Sequence, residues 1–190
     1  MNYNTIIIIL IIITVTISGY YINFIRNNNT SEVISEAKDN SLLIFRMLIP
    51  IALLVSLMLL FFKIGAISVS IYFKYIGYSM VIIGLITRWV AVKSLGNSFR
   101  VKVSLIKNQQ LITSGIYTKI RHPSYTGLLL YYIGLGIIMQ NYLSLLLLTF
   151  IPFYVVIHRI ILEEKFMVNS FQQDYLNYQK KTYKLFPFIY

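Results

Sequence analysis

The chain has 190 residues, 57% of them hydrophobic and 12% charged, against roughly 25% charged in an ordinary soluble domain. All six carboxylates lie outside residues 40–162, which excludes a soluble core over that window and points to a polytopic membrane protein. The formal charge of +11 comes from basic residues that flank apolar spans without a nucleic-acid motif; the lack of cysteine excludes disulfides and thiolate metal sites, and two separated histidines argue against a metal centre.

Residues 3–25 are almost wholly apolar and long enough to cross a bilayer; with no basic n-region and no small-x-small cleavage site, they read as a retained helix rather than a signal peptide. Residues 26–40 are polar and read as a loop with at most one surface turn of helix. A second span covers 41–62, with Pro50 as an expected kink. The third covers 67–92, where Lys74 and Arg88 near the two ends read as snorkelling anchors. Gly77 and Gly84, seven apart on one face, allow close helix packing.

Residues 93–123 form a basic loop without an acid, which the positive-inside rule assigns to the cytoplasm. The fourth span, 124–140, carries Gly127 and Gly134 on one face; Gln140 and Asn141 make the turn, and the fifth span covers 142–161 with Pro152 inside it. The tail is mixed and aromatic, and Phe166, Phe171, Tyr175 and Tyr178 suit one face of an interfacial helix that covers a site or lies on the membrane. The expected fold is therefore all-α, a polytopic membrane bundle of about five transmembrane helices, the last two forming a hairpin. It is a single domain, with 1–95 as scaffold and 96–190 as the functional half. The expected topology puts the N-terminus outside and the C-terminus in the cytoplasm.

The stretch TSGIYTKIRHPSYTG, residues 113–127, and the run RIILEE, residues 159–164, organise the functional half. Pro123 biases the chain toward a helix start there, so Arg121 and His122 sit beside a helix N-terminus at the membrane boundary. Arg159 and Glu163 are one helical turn apart, and the hairpin returns them, with Glu164, to the same side. From the residues alone, Arg121 also suits a positive-inside anchor, His122 a cap and Arg159–Glu163 a structural pair.

These motifs resemble the isoprenylcysteine carboxyl methyltransferase family, with the membrane phospholipid methyltransferases nearby. The resemblance rests on Leu111–Ile112–Thr113–Ser114–Gly115–Ile116–Tyr117, the RHPSYTG run, the apolar hairpin, Arg159 with the paired Glu163 and Glu164, the spacing of Phe171, Tyr175 and Tyr178, and Pro187–Phe188. It covers roughly residues 96–190. It implies S-adenosyl-L-methionine as cofactor, held by Gln109, Gln110, Leu111, Ile112, Tyr117, His122, Pro123, Ser124, Tyr125 and Glu163. It further implies Arg159 as the holder of an acceptor carboxylate, with Arg121, His122 and Glu164 as further catalytic candidates. Lys102 and Gln109 depart from the Gln and His usual in eukaryotic members, which loosens the implied prenylcysteine substrate.

The implied reaction is O-methylation of a carboxylate, or of a hydroxyl of a lipid or polyketide, on a lipophilic acceptor that arrives from the bilayer. No metal is required and no nucleic acid is expected. The membrane is that of a bacterial cell, or the endoplasmic reticulum if the chain is eukaryotic. Three other readings stay open: a membrane reductase using a nicotinamide cofactor, a phospholipid N-methyltransferase and a non-enzymatic scaffold.

Overall fold

A computed structural model describes residues 6, 8–13, 33–36, 40–99, 104–106 and 110–187. Most of the first expected span lies outside these residues; residues 8–13 are helical, and Ile8 is buried in the core. Four helices follow: α1 (Ser41–Phe61), α2 (Ile71–Leu95), α3 (Pro123–Ile138) and α4 (Tyr142–Lys181). Three of them, α1, α2 and α4, are long and apolar enough to cross a membrane, and α3 is a shorter apolar helix. On α1, Leu43, Met47, Ile51, Leu54 and Met58 recur at helical spacing and are all more than half exposed. A soluble bundle would bury such a stripe; in a bilayer it faces lipid, and the chain is an integral multi-pass membrane protein.

Each helix begins and ends for a local reason. Pro123 opens α3 at the position where its missing N–H costs nothing. Asn141 caps α4 by accepting from the Ser144 N–H at 3.0 Å. At the C-cap of α2, Gly96 takes a φ of +50°, which favours glycine. The two turns at one end of the bundle are stitched together. The Ile67 N–H donates to Gln140 O at 2.9 Å, the Tyr142 N–H to Gly65 O at 3.0 Å, and the Asn141 amide to Ile64 O at 2.7 Å.

Packing runs from α2 to α3, from α3 to α4 and from α4 to α1. The α2–α3 contact is the closest, because glycine meets glycine. A Cβ on Gly84 would lie 2.5 Å from Gly127 O, and one on Gly134 would lie 2.6 Å from Gly77 O. The four glycines picked out by their seven-residue spacing are thus the ones that let these backbones touch.

Three expectations change. Residues 33–36 and 104–106 are not loop but two short strands, β1 (Val33–Glu36) and β2 (Ser104–Ile106), paired antiparallel with Val33 opposite Ile106. The pairing brings the two polar loops together at the end opposite the stitched turns. The basic stretch 93–123 also contains two short 3-10 turns, Gly96–Ser98 and Gly115–Thr118. Finally, the fifth span runs on past Glu163 and Glu164 without a break: α4 is regular over 142–171, about 45 Å, half as much again as a bilayer core needs, and a kink then joins it to the tail helix. Its backbone breaks at Gln172, with φ 47° and ψ −121°.

Candidate active site

The site forms where α3 starts and α4 leaves the apolar layer. Arg159 is buried, and its guanidinium binds two side chains of the expected site at once. Nε donates to the Tyr125 hydroxyl at 2.9 Å, and Nη2 donates to Glu163 Oε1 at 2.9 Å. The Tyr125 hydroxyl donates to the same Glu163 oxygen, closing a ring of phenol, guanidinium and carboxylate. Arg159 Nη1 also reaches Ser41 Oγ, at 3.4 Å, so the first residue of α1 touches the group at the centre of the site.

The neighbouring carboxylate turns another way. Adjacent helix residues point about 100° apart, so Glu163 and Glu164 serve separate partners. Glu164 Oε1 accepts from Arg121 Nε at 2.7 Å, and its Oε2 lies 3.6 Å from Lys184 Nζ. His122 bridges the two acids: its Nε2 is 3.4 Å from Glu164 Oε1, and its Nδ1 is 3.7 Å from Glu163 Oε2. Its ring also stacks on Tyr125 with centroids 5.9 Å apart.

The rest of the Arg121 guanidinium goes to the protein itself. Nη1 donates to Gln179 O at 3.0 Å, to Thr182 Oγ1 at 3.1 Å and to Thr182 O. A cation therefore caps the carbonyl end of α4, where the helix dipole favours it. The chain that follows is laid across the motif as a strap. The Arg121 N–H donates to Tyr183 O at 2.8 Å, the His122 N–H to Lys184 O at 3.1 Å, and Thr126 Oγ1 to Leu185 O at 2.7 Å. The side chain of Leu185 is buried beneath it.

The remaining expected site residues are distributed around this centre. Pro123 is buried at the first turn of α3. Ser124 Oγ accepts from Arg88 Nη1 at 3.1 Å. Tyr117 is buried, donating to Ala91 O at 3.2 Å and accepting at its own carbonyl from the Tyr178 hydroxyl at 2.7 Å. Burial first, then the neighbouring Tyr178 and Glu163, push the Tyr117 phenol above its ordinary range, so it stays a donor. Gln110 and Leu111 line an open cleft, Ile112 is half-buried beside them, and Gln109 lies outside the described residues. Among the described residues no three His, Cys, Asp or Glu side chains group as metal ligands do.

Arg88 is the main residue that sequence reasoning misread. It is not a snorkelling anchor: its guanidinium turns inward to α3, with no carboxylate partner among the described residues. The signal was its depth, two turns inside the end of α2, where a charge requires a partner or a ligand. Ser41, Gln179, Thr182 and Lys184 carried no motif and are found only through their contacts.

The family model described as phospholipid methyltransferase matches residues 73–174, the segment that contains α3 and most of the paired-glutamate helix. The chain belongs to this family. Among its relatives, the probable protein-S-isoprenylcysteine O-methyltransferase of Oryza sativa subsp. indica is 35% identical over 118 residues, covering 61% of this chain and 62% of the relative. The protein-S-isoprenylcysteine O-methyltransferase of Saccharomyces cerevisiae is 34% identical over 116 residues, covering 60% of this chain and 48% of the relative. A solved eukaryotic intramembrane Ras methyltransferase, the isoprenylcysteine carboxyl methyltransferase ICMT, aligns with a TM-score of 0.66 at 29% identity, over 74% of this chain and 52% of that one. The family membership and the all-helical membrane fold expected from the motifs are thus borne out. The chain spans less than two thirds of the length of these curated relatives.

Proposed function

We propose that this chain is a membrane methyltransferase that uses S-adenosylmethionine to methylate a carboxylate on a lipophilic acceptor. The observation that carries the reading is the ring of Arg159, Tyr125 and Glu163, with His122 bridging to Glu164, at the boundary of the apolar layer. When bound, S-adenosylmethionine supplies an already activated methyl group on a sulfonium centre, so no metal or redox partner is needed. The donor set fits such a molecule: Glu163 offers a carboxylate beside the cationic part, and His122 and the N–H groups opening α3 offer donors for its carboxylate.

The chain's own work is to hold and align. Arg159 has the planar fork that pairs bidentately with an acceptor carboxylate. Arg88, a cation without an acidic partner on the adjoining helix, offers a second positive group to the same anion. A carboxylate oxygen is already nucleophilic. Arg159 would have only to hold it in line with the methyl group that the cofactor would supply, and no residue would have to take a proton from it. His122 and Glu164 become relevant as bases only for a hydroxyl acceptor. Arg121 acts as a positioning residue, fixing Glu164 and the strap. The cofactor approaches from the cytoplasm, where the positive-inside rule puts the basic 93–123 loop and the C-terminus, with the N-terminus outside, and the acceptor arrives through the bilayer, that of a bacterial cell or, in a eukaryote, of the endoplasmic reticulum.

A phospholipid amine acceptor is the second reading, favoured by the description of the matching family. The test is methyl transfer by the purified chain in proteoliposomes, with labelled S-adenosylmethionine and either a prenylcysteine or a phosphatidylethanolamine. A base-labile methyl ester supports the proposal, and base-stable labelled lipid supports the second reading. A folded, monodisperse chain that does not bind S-adenosylmethionine in calorimetry overturns both.

A further inference from the structure

Below the charged ring, α3 and α4 enclose a wedge. At its narrow end, near the turn, a Cβ on Gly136 would lie 2.8 Å from Leu145 Cα, so the two backbones almost touch. At its wide end the helices are held apart by the Tyr125 and Arg159 side chains, which meet between them at 2.9 Å. The register of the hairpin says what lies part-way down. Tyr132 is seven residues below Tyr125 on α3, and Pro152 is seven residues below Arg159 on α4, so both sit two turns deeper on the faces that build the ring.

Each of these positions leaves a polar group without a partner. Tyr132 is only 6% exposed, yet its hydroxyl makes no hydrogen bond among the described residues. A buried phenol ordinarily finds one. The ring leans toward the start of α3, as helical side chains do, and the charge of Arg88, bonded there to Ser124, reaches it, so the hydroxyl points toward the site. Pro152 is buried and has no N–H, so it cannot serve the carbonyl of Leu148, one turn earlier on the same buried face. No side chain donates to that carbonyl among the described residues, and Leu148 and Tyr132 belong to one packed core. A phenol and a carbonyl are thus left unpaired at about one depth in an apolar layer, where water is scarce.

One group satisfies both. A hydroxyl accepts from the Tyr132 O–H and donates to the Leu148 carbonyl. Depth fixes its place on a ligand. Two turns of helix span about 10 Å and an extended chain advances about 1.2 Å per bond, so this hydroxyl lies roughly eight bonds from a carboxylate held at the ring. A plain hydrocarbon at that depth leaves both groups unpaired.

We infer that Tyr132 and the Leu148 carbonyl form a subsite that reads a hydroxyl on the acceptor, and that the preferred acceptor is a long-chain acid hydroxylated near its eighth carbon. The inference rests on the methyltransferase reading and names the acceptor class for it.

The test is methyl transfer by the full chain in proteoliposomes, with labelled S-adenosylmethionine and three acids: palmitic, 8-hydroxypalmitic and 16-hydroxypalmitic. In the wild type, kcat/KM for the 8-hydroxy acid exceeds that for either of the others about tenfold. Tyr132→Phe, which keeps the ring and its packing, brings the ratio of 8-hydroxy to 16-hydroxy acid to about one, a readout that a merely structural role would not move. Pro152→Ala, which returns an N–H to the Leu148 carbonyl, also lowers it. Tyr131→Phe removes a hydroxyl from the ring that meets Tyr132 edge-on at 5.0 Å and keeps the preference. Size exclusion and the thermal midpoint verify that each variant is folded. A wild type that does not distinguish the two hydroxy acids, that binds S-adenosylmethionine but methylates none of the three, or whose preference survives Tyr132→Phe overturns the subsite and leaves the methyltransferase reading standing. A folded wild type that does not bind S-adenosylmethionine overturns both.

Discussion

Gly127 closes the RHPSYTG motif, and packing gives the reason. A Cβ there would lie 2.5 Å from Gly84 O, 2.7 Å from the Arg88 backbone N and 3.1 Å from the Arg88 Cβ. Ordinary contact begins at 3.4 Å, so Gly127→Ala leaves α2 and α3 about 0.9 Å too close. The nearest two obstacles are backbone atoms, which cannot rotate away, so the helices must separate by nearly that amount. The cost is at the upper end of about 1–3 kcal/mol for overpacking. The same shift carries Arg88 outward. Its bond to Ser124 Oγ, now 3.1 Å, lengthens to about 4 Å and is lost. Thermal unfolding in detergent, followed by light scattering and intrinsic fluorescence, therefore drops by several degrees. Methyl transfer falls with it, even when assayed well below the new midpoint. Gly84→Ala meets the same contact from the other side, so the double variant costs less than the two single costs added together. An unchanged midpoint for Gly127→Ala, or strict additivity with Gly84→Ala, would refute the argument.

Three further outcomes are expected. Tyr125→Phe deletes the hydroxyl shared by Arg159 and Glu163, bonds to charged groups worth about 1.5–3 kcal/mol each; kcat/KM for methyl transfer falls at least tenfold while the chain stays folded. Arg121→Ala removes the shortest of the ion pairs to Glu164, leaving Lys184 and His122 beside it, and uncaps the end of α4, costing about 1.5–3 kcal/mol; hydrogen exchange at residues 182–185 accelerates before that of α3, and Arg121→Lys restores it only in part. Gln172→Gly relieves a backbone conformation that favours glycine and raises stability by about 1 kcal/mol, whereas Gln172→Val lowers it, both read from the unfolding midpoint.

What could be read from the chain follows from the range of the interactions involved. The spans of α1 and α2, and the hairpin of α3 and α4, are written in local apolar runs, and Pro123 and Asn141 mark their starts one residue at a time. The glycine contact was legible because seven-residue spacing puts both members on one face. The strands were not, because the partner of Val33 is Ile106 and no local pattern couples them. The length of α4 was hidden by Glu163, Glu164 and Lys165, which end the hydropathy of the span while remaining good helix formers. In the site, the motif located Arg121, His122, Tyr125, Arg159, Glu163 and Glu164, which the fold brings into one network. It did not say that Arg121 serves the strap, since that depends on carbonyls contributed by Gln179 and Thr182. The inward turn of Arg88 depends likewise on α3 lying against α2.

The unusual length of α4 makes the bilayer itself a part of the machine. Its first twenty residues, 142–161, match a hydrocarbon layer of about 30 Å, and Glu163, Glu164 and Phe171 ride on the half that projects beyond it. A layer thinner or thicker than that apolar length changes the tilt of the rod. A change of about 10° swings Glu163, about 17 Å along the helix from the middle of the apolar run, by roughly 3 Å, as much as a hydrogen bond of the ring is long. Acyl-chain length is then a kinetic variable: the turnover rate passes through a maximum where lipid and helix match and declines on either side.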